Sequence, residues 1–194
     1  MSDAYKRKLH TLLSLIEDTA HRLLTDSHPL EHRIFQPEGT EEYGRNFGNI
    51  IHDMPAVWSG KASRSAILSK LDNPKFEISE DHYHSRQRCG EELARLIKSA
   101  FGEGRAPRES DILKIIDKAR RVHYVLKEEN QALRKHMAAQ LTPTQAYKAA
   151  KVELHDAREL FGNKGRPSKA FKAKMEKKFR NPLQKKKKKV KSRK

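Results

Sequence analysis

Two stretches of this chain hold the side chains that could do chemistry. The first is Asp81-His82-Tyr83-His84, with Arg86, Arg88, Cys89 and Glu92 close behind. Metal-assisted phosphodiester cleavage needs a general base, a converging ligand set and a cation for the transition state. A carboxylate, two imidazoles and two guanidinium groups within a dozen residues supply those types. The same residues also suit a helix start. Ser79 reads as an N-cap, Glu80 and Asp81 fit the positive end of a helix, and the arginines suit phosphate binding. On such a helix His82 and His84 are two apart and point in different directions. No catalytic residue and no metal ligand is therefore assigned. The reading leans away from an enzyme, and a metal-dependent nuclease using His82 and His84 stands as an alternative.

The second stretch is the C-terminus. The formal net charge is +17, and residues 162–194 carry 16 Lys/Arg against one acid, Glu176. The rest of the chain is close to neutral. A near-neutral body with a cationic extension is the pattern of a folded part joined to a polyanion-binding part. The run Lys185, Lys186, Lys187, Lys188, Lys189, followed by Lys191, Arg193 and Lys194, is too self-repelling to pack on its own. Lysine is a point charge without arginine's fork, so such a run grips backbone phosphate with little reading of sequence. With Lys164, Arg166, Lys169 and Lys172 these residues form the expected nucleic-acid contact set. DNA is favoured over RNA. An RNA-binding assembly factor is the alternative partner class, and a solubility tail or nuclear localisation signal is the simplest reading of the run.

Lys164-Gly165-Arg166-Pro167-Ser168-Lys169 resembles the core of an AT-hook. The resemblance implies an extended chain in the DNA minor groove. Glycine permits close approach, proline keeps the chain extended, and arginine is drawn to the narrow groove of A·T tracts. Asn163 and Ser168 stand where that pattern commonly has more basic residues. The local alternative is a helix stop and turn, with Ser168 capping the next helix. The Asp-His-x-His run resembles nucleases that use a histidine base and one metal, but the paired cysteines that brace many such sites are missing. His82-Tyr83-His84-Ser85-Arg86-Gln87, Val122-His123-Tyr124 and Glu128-Glu129-Asn130 together resemble segments of small uncharacterised bacteriophage-encoded proteins. That resemblance implies a phage or mobile-element context and no activity.

Walker-type glycine loops, GxSxG and zinc-ribbon cysteine spacing are all missing, and no cofactor is called for. The single cysteine, Cys89, cannot form an internal disulfide, which suits a reducing compartment. No apolar run approaches the roughly 18 residues of a membrane span, and the N-terminus has no signal-peptide core. The expected location is cytoplasmic, or nuclear or nucleolar in a eukaryotic or virus-infected host, with no membrane partner.

The elements expected to position these residues are helices. Leu9, Leu12, Leu13, Ile16, Ala20, Leu23 and Leu24 recur three and four apart. Residues 28–62, rich in glycine and proline, read as loops pinned to the core by Phe35, Phe47 and Trp58. Ser63 caps a short helix that Asn73-Pro74 stops. Residues 79–101 read as a helix with Cys89, Leu93 and Ile97 on one side. The longest helix is expected over 110–140, with Ile112, Ile115, Ala119, Val122, Leu126 and Leu133 as a coiled-coil-like seam for a homodimer or partner protein. Glu129 interrupts that seam. Thr142-Pro143-Thr144-Gln145 starts a helix expected to reach Phe161. Lys169 to Arg180 reads as a short basic helix with Phe171, Met175 and Phe179 on one stripe. The expectation is an all-α fold: an irregular bundle of about five to six helices in 1–161, then a basic nucleic-acid-binding extension in 162–194 ending in a disordered tail.

Overall fold

The computed structural model describes residues 3–139, 141–161 and 168–179. In chain order these form α1 (Asp3–Thr25), α2 (Gly39–His52), β1 (Val57–Ser63), α3 (Arg64–Asp72), β2 (Ser79–His82), α4 (Arg86–Gly102), α5 (Glu109–Arg120), β3 (Arg121–Val125), α6 (Lys127–Ala138), α7 (Pro143–Ala149), β4 (Leu154–Asp156), α8 (Arg158–Phe161) and α9 (Lys169–Phe179). The chain divides into two compact units, residues 1–57 with 82–122, and residues 58–81 with 123–194.

The first unit is helical. Leu12, Ile16 and Leu23 of α1 lie in one core with Phe47 and Ile51 of α2, Leu93 and Ile97 of α4, and Ile112 and Ile116 of α5. Helix α2 falls in the stretch expected to be irregular. Its glycines act as contact residues and not as breakers. A Cβ on Gly90 of α4 would sit 2.0 Å from the Gly44 carbonyl oxygen and 2.8 Å from the Gly48 nitrogen. Only hydrogen fits there, so the glycines let the α2 and α4 backbones touch. Cys89 beside this crossing is buried, and burial, helped by Glu92, pushes its thiol up to about 12. It is a core side chain and not a nucleophile.

The second unit holds most of a four-stranded sheet in the order β2-β3-β1-β4. Strands β1 and β4 are antiparallel, with Lys61 opposite Asp156, Ala62 opposite His155 and Ser63 opposite Leu154. Because side chains alternate along a strand, Trp58 and Ala62 lie on one face of β1, and Ser59 and Ser63 on the other. On the first face, Ala62 packs with Ala66, Ile67 and Leu71 of α3, Leu160 of α8, and Phe171, Met175 and Phe179 of α9. On the other, Tyr147 of α7 donates to Asp81 at 2.5 Å, and the Ser63 hydroxyl donates to Glu129 of α6 at 2.5 Å.

The all-α expectation is thus overturned by this sheet, and nine helices stand among the described residues where five to six were expected. The expected 110–140 helix is two helices separated by β3. Val122, Tyr124 and Val125 are β-branched or aromatic, and a strand between two neighbours suits them better than a helix does. The expected seam divides accordingly. Ile112 and Ile115 belong to the first unit's core, while Leu133 is fully buried in the second unit. Glu129, which interrupts the seam, serves α6 instead. Its carboxylate accepts the Leu126 N–H at 2.9 Å and so caps that helix. Ser79 caps no helix, because 79–82 is strand and α4 begins at Arg86. The helix from Thr142 starts as expected, with Gln145 accepting the Thr142 N–H at 3.0 Å, but it ends at Ala149. Lys151 then takes a left-handed φ of 55°, and 154–156 pairs with β1. Ser63 does cap α3, accepting from Ala66 N–H at 3.0 Å. No helix among the described residues is long and apolar enough to cross a membrane.

Candidate nucleic-acid interface

Of the expected contact set, Lys169 and Lys172 lie in the described structure, on α9. Lys164, Arg166 and the residues from Lys185 to Lys194 lie outside the described residues, as does the Gly165-Arg166-Pro167 segment.

Helix α9 is built from good helix formers, mostly lysine and alanine, with Met and Glu. The Ser168 hydroxyl caps it, accepting from the Phe171 N–H at 3.1 Å and bonding to Glu159. Phe171, Met175 and Phe179 recur every fourth residue, and all three are buried against the second unit's core. At 100° per residue, Lys177 falls opposite that stripe and Lys169 and Lys174 to its sides; all three are exposed, as is Glu176. Lys172 flanks the stripe and is half-buried.

The end of α9 is pinned by side chains that carry no signal of this role in the sequence. Arg64 donates to the Phe179 carbonyl at 2.5 Å, satisfying one of the acceptors a helix end leaves open. Its guanidinium also stands 5.5 Å from the Phe179 ring centre. Lys178 donates to His155 Nδ1 at 3.0 Å, and the His155 ring lies 4.7 Å from that of Phe179. Nδ1 can accept only if it carries no proton. Burial first, then the charges of Lys178 and Arg64, hold the His155 pKa below its ordinary value, with Glu153 opposing them. The imidazole is therefore neutral at neutral pH. A cleft of about 370 Å³ nearby is lined by Arg64, Ser65, Leu68, Glu129, Lys151 and Glu153. Its two cations are matched by two carboxylates, so it presents no excess positive charge.

The histidine cluster is differently arranged from the helix the sequence suggested. Asp81 is buried on β2, and burial raises its carboxyl pKa, against the Tyr147 hydrogen bond and the Arg134 charge. His82 Nδ1 is 3.3 Å from the Ala119 carbonyl oxygen. His84 packs edge-on to Tyr83, and burial with the nearby Lys118 holds its pKa below the usual histidine value. Among the described residues, no three His, Cys, Asp or Glu side chains are grouped so as to hold a metal ion.

Two features of the sheet escape a reading of the sequence. His123, which reads as a lone helical histidine, is buried on β3, and its Nδ1 is 2.6 Å from the Ser59 hydroxyl on β1. Trp58 of β1 stacks on Tyr124 of β3, ring centres 5.0 Å apart and planes at 11°, while Phe161 meets both edge-on. In Trp58-Ser59-Gly60-Lys61-Ala62-Ser63 large and small residues do not alternate, so the segment carries no period-two signal for a strand. Comparison of the chain with protein-family models, curated proteins and solved structures finds no match.

Proposed function

We propose that this chain is a non-enzymatic nucleic-acid-binding accessory protein whose basic C-terminal region grips phosphate from an anchored helix. One observation carries the reading. Helix α9 buries Phe171, Met175 and Phe179 in the core and turns Lys169, Lys174 and Lys177 outward. In sequence it runs directly into residues 180–194, which hold nine Lys/Arg and no acid. A helix fixed on one side and cationic on the other suits phosphate contacts that position without reading bases. DNA is favoured over RNA through the AT-hook-like Gly165-Arg166-Pro167.

Deleting 183–194 tests the reading. Binding to DNA at moderate salt falls at least tenfold, roughly the effect of losing two or three phosphate contacts, while helicity and thermal midpoint stay nearly unchanged. Changing Lys169, Lys174 and Lys177 together to alanine weakens binding further and flattens its salt dependence. Unchanged affinity in both variants overturns the proposal. Arg166→Ala separates groove insertion, which weakens A·T-rich duplex more than G·C-rich duplex, from plain phosphate contact.

A further inference from the structure

We propose that the cleft beside the start of α3 binds a small zwitterion of the aminocarboxylate class, with its carboxylate at Arg64 and Lys151 and its ammonium at Glu129 and Glu153. This is separate from the nucleic-acid reading above and uses neither the exposed lysines of α9 nor the C-terminal lysine run.

The cleft lies within the second unit. Arg64, Ser65 and Leu68 come from α3, Glu129 from α6, and Lys151 and Glu153 from the turn between α7 and β4. Its volume of about 370 Å³ falls in the range of roughly 300–1,000 Å³ common to small-molecule sites. Two cations and two carboxylates line it, yet among the described residues none of the four forms an ion pair with another of them. Two of them are tied elsewhere. Glu129 accepts the Ser63 hydroxyl at 2.5 Å and the Leu126 N–H at 2.9 Å, both through Oε2. Its Oε1 accepts no hydrogen bond among the described residues. Arg64 donates to the Phe179 carbonyl at 2.5 Å and lies over the Phe179 ring. The fold thus holds a carboxylate and a guanidinium at one cleft and keeps them from closing on each other. Groups fixed in this way cost little to order when a ligand binds.

Lys151 is an independent observation. Its φ of 55° is left-handed, a conformation that glycine takes without strain and other residues do not. The turn by itself calls for glycine, and the side chain found there lines the cleft.

The charge pattern selects the ligand. A simple anion would meet Glu129 and Glu153 along with the cations, and a simple cation would meet Arg64 and Lys151. Like charges brought together weaken binding. A molecule bearing both charges satisfies both sides. Helix α3 opens at Arg64 and Ser65, so its positive end favours the ligand carboxylate on that side. Leu68, half-buried, offers an aliphatic surface for the methylenes between the two charges.

The full chain is titrated by calorimetry with glycine, β-alanine, γ-aminobutyrate and ε-aminocaproate, in which the charges stand progressively further apart. Acetate and propylamine serve as single-charge controls. One aminocarboxylate binds best, at least roughly tenfold tighter than either control, the effect of about one charge-assisted hydrogen bond. Glu129→Gln keeps an oxygen for Ser63 and Leu126 and removes the charge. Lys151→Gly removes the cation and suits the turn. Each weakens that ligand roughly tenfold, with folding checked by circular dichroism. The comparison of ligands on the unmodified chain decides the matter if a variant does not fold. Acetate or propylamine binding as tightly as the best aminocarboxylate overturns the proposal, as does equal affinity for all four. Absence of binding heat from all four overturns it too, and so does unchanged affinity in folded Glu129→Gln.

Discussion

The two units of this chain solve the problem of a core in opposite ways. The first holds 16 Lys/Arg against 15 Asp/Glu and is close to neutral, while the second carries the excess charge. The first packs apolar faces of helices, brought together where Gly44, Gly48 and Gly90 remove side chains from a crossing. Its ion pairs, such as Lys8–Asp53 and Arg95–Glu91, lie at the surface and add little. The second places polar pairs inside or at the edge of its core: Tyr147 with Asp81, His123 with Ser59, Glu129 with Ser63. Such pairs stabilise only while both partners are present, since a buried group left alone keeps its full desolvation cost. The first unit is therefore sensitive to volume and the second to the loss of a partner. The exposed lysines of α9 also belong to the second unit.

The largest effect should come from charging the second unit's core. Leu133 is fully buried and Leu126 packs against the α3–α9 cluster. Replacing both with lysine costs at least about 3 kcal/mol in lost burial and desolvated charge. Loss of cooperative unfolding, seen by circular dichroism, is the expected outcome. A folded protein with an unchanged thermal midpoint would show that these leucines are not core.

Next in size is Gly90→Ala in the first unit. The added Cβ meets backbone and not a pliable side chain, so overpacking should cost about 3 kcal/mol. Gly102→Ala on the same helix meets nothing within 4 Å and should instead stabilise by about 0.5–1 kcal/mol. Urea unfolding of the pair decides it: equal effects would mean that α2 and α4 do not touch through their glycines.

Asp81 sharpens the contrast on the polar side. Asp81→Asn keeps an acceptor for Tyr147 and removes a carboxylate that burial disfavours, so the change in stability should stay within about 1 kcal/mol. Asp81→Ala leaves the Tyr147 hydroxyl without that acceptor and should cost about 1–3 kcal/mol. If the alanine variant is as stable as the asparagine variant, the pair does not hold the sheet to α7.

The smallest effect concerns His155. Its pKa is depressed in the folded chain, so the unfolded chain takes up the proton first as pH falls. The contribution of the His155–Lys178 contact is complete above about pH 6.5, the ordinary histidine value, and is lost as pH falls from there through the folded value. Protonation would also gather Arg64, Lys178 and His155 as three cations about Phe179. Protection factors for the amides of 171–179, taken against the intrinsic exchange rate at each pH, should fall on acidification, and His155→Gln should flatten that dependence. His84 in the first unit is depressed in the same direction, so the variant is what assigns the change to α9. Protection factors equally pH-dependent in His155→Gln would remove His155 from the anchor.

Much of what is local is legible in the sequence. Ser63 and Thr142 start helices where their side chains can take an N–H, and Asn73-Pro74 stops one, because caps and breakers act on neighbours within a few residues. Periodicity likewise marks the buried stripe of α1, and the four-residue steps of α9 mark Phe171, Met175 and Phe179. The lysine face of α9 is legible for the same reason, whereas Arg64, His155 and the ring trio are not, since each is joined to its partner only across the fold.

What the amino-acid sequence determined by itself is where charge accumulates, where helices can begin, and which helical faces are apolar, since each is a property of a residue and its near neighbours. The tertiary structure decided which apolar segments became strands. Residues 121–125 read as helix on spacing alone and are strand because β2 and β1 flank them on both sides. Residues 154–156 leave the helical pattern because β1, some ninety residues earlier, supplies hydrogen bonds and a face to cover. It also decided what the glycines of α2 mean, since a residue that weakens an isolated helix strengthens a crossing once a second backbone lies against it. A strand, and a glycine contact, are completed by a partner distant in sequence, and no local pattern contains that partner.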